Sequence, residues 1–311
     1  MARRYVVARR RTGFGDCIWS LAAAWQYAKR TGRILVIDWT GSCYTRDSET
    51  NAFTQFFNPI DEIAGVPVIL AGGGENLRLP GPFFPEWWNG HWGEKRGDQQ
   101  VLFERDQLRR LFATGQDCAA ATVICDACLM WGCDEWAENV IFDELDVVER
   151  IRDKISAYRR DNFDGCKVIG VHIRHGNGED IQDHWPYWAE PERLMRLVEG
   201  KMRSERLRVE SEMVKYFLST DSIFVLNSIV RVFPGVMYTE KEYRRLGAGP
   251  LHCPQLGPAG GEAALVDMYL LAMCDVLIRV PPTSAFSRMA YLRVPRVFEC
   301  DLRDSTGFRL A

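Results

Sequence analysis

The sequence predicts an α/β protein made of two blocks, residues 1–150 and 151–311, and three observations carry that prediction. An apolar run at 4–8, a glycine-containing turn, a helical stretch and a second apolar run at 33–39 form a strand–turn–helix–strand unit. Such a unit implies a parallel sheet, because parallel strands need a crossover connection. The same alternation resumes after residue 160, beyond a segment at 40–100 that is rich in Gly, Pro and aromatic residues.

Taken in order, RYVVA (4–8) reads as a short buried strand and RRRTGFGD as a turn. A helix over 17–30 follows, because WSLAAAWQYAKR is rich in good helix formers and Gly32 is a suitable stop. RILVIDW (33–39) is a continuous apolar strand, and residues 40–100 read as irregular. A helix at 101–112, a strand at 121–125 and one long helical pattern over 134–160 complete the first part. In the second part VIGVHIR (168–174), KYFLSTD (215–221), DVLIRV (275–280) and PRVFECD (295–301) read as strands. Helices are expected at 191–205, 222–233, 261–274 and 284–292. No internal repeat or low-complexity tract is present.

Composition narrows the function. Of 311 residues 47% are hydrophobic and 26% charged, the balance of a soluble globular protein. The net charge of −3 gives no overall pull toward nucleic acid, which is not expected as a partner. No run approaches the roughly 20 apolar residues of a membrane helix. The basic start MARRYVVARRRTG has too short an apolar segment for a signal peptide, so a cytoplasmic location is expected. Among the ten cysteines, Cys125, Cys128 and Cys133 imitate a metal cluster but lack a fourth ligand at suitable spacing, and buried free thiols are the expectation.

Ligands of open α/β sheets bind beyond the carboxyl ends of strands. In VIGVHIR, alternation puts His172 and Arg174 on one face at such an end. Arg174 has a permanently charged fork suited to a phosphate; an inter-domain salt bridge and a hydrogen-bonded core histidine are the alternatives. After DVLIRV, Pro281-Pro282-Thr283-Ser284 leads into a helix start, where Thr283 or Ser284 is an N-cap and the helix end attracts a diphosphate, or merely caps. In the first block Gly13-Phe14-Gly15-Asp16 opens a helix. With Ile18 where the dinucleotide fingerprint needs glycine, a nicotinamide enzyme is disfavoured even though Asp38 mimics its ribose-binding acid. The glycines still let backbone approach a phosphate or sugar. No GxxxxGK[ST] loop occurs. Asp221 caps the next helix, holds a ribose hydroxyl or orients Arg174. Asp267 is either an exposed helical carboxylate or a buried one whose oxygens a guanine edge would satisfy.

Several segments closely resemble the rhizobial nodulation α1,6-fucosyltransferases: RRTGFGDCIWSLAAAWQYAKRTGR, CDACLMWGCDE, GVHIRHGNGED, FLSTDS, DMYLLA and PPTSAFSRMA. The likeness covers nearly the whole chain in order, and is more distantly similar to animal core α1,6-fucosyltransferases and protein O-fucosyltransferases. It implies a GT-B-like fold, two Rossmann-like domains with a central cleft, with an acceptor-side domain at 1–150 and a nucleotide-sugar-binding domain at 151–311. It also implies inverting, metal-independent transfer of fucose from GDP-fucose to the 6-hydroxyl of the reducing-end N-acetylglucosamine of a chitin oligosaccharide (a Nod factor). Carried over by position, Arg174 grips the β-phosphate, His172 and Asp267 lie at the guanine, Thr283 and Ser284 by the diphosphate, and Asp221 near ribose or Arg174. The animal enzymes have a second arginine where this chain has His175, so the charge at that position is in question.

No metal is expected to serve as cofactor, and no DxD metal motif occurs in the chain. The catalytic base is sought in the acidic turn at Glu179 and Asp180, with Asp183 and Asp16 behind them. For the acceptor, PGPFFPEWWNGHW offers Trp87 and Trp88 as stacking planes and Asn89 and His91 for hydroxyls, unless the loop simply packs on its own domain. Rival readings are a GDP-sugar transferase with another acceptor, such as a protein, and a non-catalytic nucleotide-sugar or oligosaccharide-binding protein.

Overall fold

The structure, a computed structural model, describes residues 3–72, 78–91, 98–127, 132–177, 185–209, 213–302, 304 and 307–311. The chain divides into two compact units, Met1–Val148 and Glu149–Ala311, each built on one sheet.

The first unit opens with β1 (Tyr5–Ala8), α1 (Phe14–Thr31) and β2 (Ile34–Ile37). Helix α1 begins three residues earlier than the sequence suggests and ends as expected at Gly32, whose φ of 68° lets its N–H close on the Ala28 carbonyl. The 40–100 segment is less irregular than its composition implies. It contains α2 (Ala52–Phe56), β3 (Glu62–Ile63), β4 (Val66–Leu70), β5 (Phe83–Phe84) and a 3-10 turn at Glu86–Trp88. Then come α3 (Asp98–Thr114), β6 (Thr122–Cys125) and α4 (Glu135–Glu144). The sheet order is β3-β4-β2-β1-β6-β5, parallel except for β3.

The single helix expected over 134–160 is two, α4 and α5 (Glu149–Asn162). The break has a local cause. The Asp146 carbonyl accepts from the Asn58 amide (2.8 Å) and the Val148 amide donates to the Phe56 carbonyl (3.0 Å), so this backbone is committed to extended pairing.

The second unit continues with β7 (Lys167–Ile173), α6 (Trp185–Trp188), α7 (Pro191–Arg208), β8 (Val214–Thr220), α8 (Ile223–Val232), α9 (Gly257–Ala272) and β9 (Val276–Val280). It closes with a 3-10 turn at Ala285–Ser287, α10 (Arg288–Arg293), β10 (Val297–Cys300) and β11 (Phe308–Leu310). Its sheet runs β11-β10-β9-β7-β8, parallel except for β11. Residues Ile169, Val171 and Ile173 of β7 and their neighbours on β8, β9 and β10 pack with Leu194, Val198, Val225 and Ile229 of α7 and α8. The opposite face is covered by α9. At Gly170 an added Cβ would lie 2.8 Å from Cys274 Sγ and 3.3 Å from Leu271 Cδ2, so only glycine admits the helix that closely.

Connectivity leaves β7 toward β8 and returns on its other side at β9. The strand order therefore reverses at the β7/β9 boundary, the place where open α/β sheets bind ligands. Among the described residues, no helix is long and apolar enough to cross a membrane.

Candidate functional site

Arg174 is the first residue past β7, and the structure fixes it from several sides. Its amide donates to the Val280 carbonyl at the end of β9 (2.7 Å), and its carbonyl accepts from the Trp188 indole (3.1 Å). Its guanidinium donates through Nη1 to Asp221 Oδ2. Asp221, the residue after β8, also accepts from the amides of His175 (2.7 Å, Oδ1) and Gly176 (2.9 Å, Oδ2). Burial alone would push this carboxyl up, but the Arg174 cation and the two amides outweigh it, and its pKa is lowered. Of the roles open to Asp221 in the sequence, orienting Arg174 is the one this geometry contains.

His172 is buried on β7, with Nε2 3.0 Å from the Ser284 hydroxyl and its ring stacked on Phe286 (centroids 5.2 Å apart). Burial, and next the nearby Arg279 cation, pull its pKa from 6.5 to about 3, so it is a neutral ring at physiological pH. His175 is also lowered, chiefly by burial. Its Nδ1 accepts the Asn177 amide (3.1 Å) and its ring meets Trp188 edge-on. Position 175 therefore supplies no cation at neutral pH.

The β9 end differs from expectation in one respect. No continuous helix starts at Ser284; a single 3-10 turn precedes the six-residue α10. Here Arg279 Nη2 donates to the Ser284 carbonyl (2.9 Å) at the start of the turn. Ser284 caps nothing with its side chain, and its amide closes on the Pro281 carbonyl (3.2 Å). What this tip offers an anion is turn polarity rather than a full helix dipole. Thr283 Oγ1 is buried without a partner among the described residues.

Asp267 lies in α9 and is 1% exposed. It is not waiting for a ligand to compensate its charge: Ser219 Oγ (2.8 Å), the Thr239 hydroxyl and the Lys241 ammonium all donate to it. Burial would lower the Lys241 pKa, yet Asp267 more than restores it, and Lys241 is raised. This corrects the expectation that a guanine edge satisfies both oxygens. A base at this position would have to use remaining acceptor capacity.

Sequence reasoning passed over Arg279, also 1% exposed, although an arginine inside the apolar strand VLIRV is a visible signal that a partner must exist. Register places Ser219, His172, Arg279, Glu299 and Arg309 in one row across the sheet, with Glu299 between the two arginines. Asn177, Thr239 and Lys241 were missed as well; only the turn dipeptide Asn177-Gly178 gave a hint.

The candidate bases Glu179 and Asp180, and Asp183 behind them, lie outside the described residues. In the first unit Gly15 is the second residue of α1, and Asp16 accepts from the Thr12 hydroxyl (3.1 Å) with Arg10 at 4.0 Å. Asp38 accepts from the Thr40 amide (3.2 Å) and stands 3.6 Å from Arg9. The candidate acceptor loop is largely occupied with itself. Trp88 is buried with its indole on Glu104 (3.1 Å), Asn89 bridges Phe83 and Glu86, and His91 Nδ1 contacts the Trp87 carbonyl (2.6 Å). Asn89 is thus a loop staple, and Trp87 stacks on His91. Of the cysteines Cys125 and Cys133 are in no disulfide, and Cys128 lies outside the described residues. Among the described residues no three metal-ligating side chains stand together.

Against known proteins, the family model for Nodulation protein Z (NodZ) matches residues 2–310. Nodulation protein Z of Bradyrhizobium diazoefficiens is 51% identical over 97% of this chain and 82% of its own length. That of Sinorhizobium fredii is 51% identical over 98% and 95%. Among solved structures, the fucosyltransferase NodZ from Bradyrhizobium is 44% identical, with a TM-score of 0.87 over 100% of this chain and 99% of that one. A structure of NodZ α1,6-fucosyltransferase co-crystallised with GDP matches equally well, and one soaked with GDP-fucose gives a TM-score of 0.86. Arabidopsis thaliana FUT1, at 14% identity and a TM-score of 0.55 over 100% of this chain and 74% of that one, shares the fold.

Proposed function

The chain belongs to the Nodulation protein Z family, and from that premise we propose that it transfers L-fucose from GDP-fucose to the 6-hydroxyl of the reducing-end N-acetylglucosamine of a chitin oligosaccharide. The family and the GT-B-like fold, with a parallel-rich sheet in each unit, make it a glycosyltransferase of the fucosyltransferase kind. The donor belongs to the second unit in this reading. The single observation that carries it is the meeting of Arg174 and the 281–284 turn at adjoining strand tips on the β7/β9 boundary, where the strand order reverses.

As the bond from the anomeric carbon to the β-phosphate oxygen breaks, the sugar gains oxocarbenium character and GDP gains negative charge. Arg174 is preset for that charge: Asp221 and two backbone contacts hold it, so little reorganisation accompanies the reaction. Neutral His172 and His175 shape and hydrogen-bond the site without adding charge. Inversion requires the acceptor hydroxyl to attack from the face opposite GDP, with Glu179 or Asp180 accepting its proton. The first unit serves the acceptor. With cationic stabilisation built into the chain and no DxD motif, the reaction runs without a divalent metal.

The test is mass spectrometry of chitin oligosaccharides incubated with purified protein and GDP-fucose, with and without chelator. A single added deoxyhexose on the reducing-end sugar, undiminished by chelator, is expected. Fucosylation of peptides but not chitin oligosaccharides, or a strict divalent-metal requirement, would overturn the acceptor or the charge argument respectively. GDP-fucose binding without GDP release in the presence of acceptor would select a binding protein.

A further inference from the structure

We propose that Asn177 is a positioning residue that fastens the 239–249 segment to the Arg174 turn, so that the two present one preformed face to the donor nucleotide. This deepens the donor reading above and rests on it.

Asn177 is completely buried and holds a left-handed backbone with φ 51°, which Asn tolerates better than most residues. Its side-chain amide donates to three carbonyls of one segment: Arg244 (3.4 Å), Arg245 (2.9 Å) and Gly249 (3.1 Å). Its own carbonyl accepts the Gly249 amide (2.8 Å). The orientation of the amide is dictated by chemistry, since the flipped group would set an oxygen against three carbonyl oxygens. Oδ1 is left without a partner among the described residues, the cost of satisfying three acceptors at once.

The other end of the same segment is tied down independently, with Thr239 and Lys241 on Asp267. Between these ties, no described residue of 239–249 belongs to a helix or strand. A stretch without secondary structure gets its shape from such anchors. On the opposite side Asn177 continues the turn whose His175 and Gly176 amides, with Arg174, converge on Asp221. One buried amide thus joins the turn carrying the cation to the segment beside it. Asp221 holds Arg174 without help from Asn177. Loss of the clamp should therefore loosen donor binding more than it slows the bonded chemistry.

Two variants separate this role from simple support of the fold. Asn177→Asp keeps size and left-handed tolerance but faces an anion toward three carbonyls; Asn177→Gly keeps the backbone and removes the clamp. With three hydrogen bonds lost, KM for GDP-fucose and Kd for GDP should rise about tenfold or more, while kcat at saturating donor stays within about threefold. Hydrogen exchange without nucleotide should quicken in 239–249 and not in β7 or α9. The inference is overturned if exchange in 239–249 is unchanged, or if kcat falls in step with the folded fraction while KM stays put. Should wild-type protein fail to bind GDP, the donor reading fails, and the nucleotide-free exchange comparison still decides whether Asn177 holds the segment.

Discussion

Arg174 is placed by its neighbours rather than by its own preference: a carboxylate, a strand-end carbonyl and an indole each take one of its groups. A lysine could reach the same region but not form the planar fork, so Arg174→Lys should lower kcat/KM by about 10²-fold or more in a GDP-release assay. Near-wild-type turnover would remove Arg174 from the chemistry. Asp221→Ala removes a buried carboxylate that Arg174 and two backbone amides share, and should cost about 3–5 kcal/mol in urea unfolding. The lowered Asp221 pKa means that its stabilisation is complete above the ordinary carboxylate value and is lost only as pH falls through the depressed one. The buried histidine acts at milder acidity. Above about pH 6.5 His172 is neutral in both folded and unfolded chains; from 6.5 down to about 3 the unfolded chain takes up a proton that the folded chain refuses. Stability should fall with pH in that interval by up to about 1.4 kcal/mol per unit from this ring, and His172→Gln should flatten the slope of urea midpoints measured from neutral pH to about pH 5. His175, lowered in the same direction, leaves a smaller residual slope in that variant.

At the scale of elements, the contact of α9 with β7 sets the depth of the polar row beneath the site. Gly170→Ala would drive a methyl into Cys274 and Leu271, and overpacking of this kind should cost about 1–3 kcal/mol, read as a lower denaturation midpoint. Strong periodicity made most of these elements legible: every strand of the second unit except β11, and the long helices α1, α3, α7, α8 and α9, lie close to where the apolar pattern puts them, whereas α4 and α5 divide one expected helix. Elements were lost where other signals masked the pattern. Val66–Leu70 is an apolar strand interrupted by Pro67, embedded in a segment whose composition reads as loop. The helix expected at 284–292 is divided into a 3-10 turn at Ala285–Ser287 and α10, with the buried Arg279 bonded to the Ser284 carbonyl where the turn begins. Tertiary hydrogen bonds of that kind leave no period to read. The strand-end residues His172, Arg174 and Ser284 were legible because position past a strand is a local property. Asn177 and Lys241 were not, since their partners lie 68 and 26 residues away in the chain.

Across the whole molecule the two units repeat one plan, a parallel-rich sheet in which the unit's first strand, β1 or β7, sits between two later ones. In the second unit the groups able to meet a diphosphate gather at that strand, beside a row of polar residues that is buried from Ser219 to Glu299 and ends at the exposed Arg309. The most direct measurement is a crystal structure of the protein with GDP bound. The diphosphate should lie within hydrogen-bond distance of the Arg174 guanidinium and against the 281–286 turn, beyond the tips of β7 and β9. A diphosphate seated elsewhere, with Arg174 paired only to Asp221, would contradict the account.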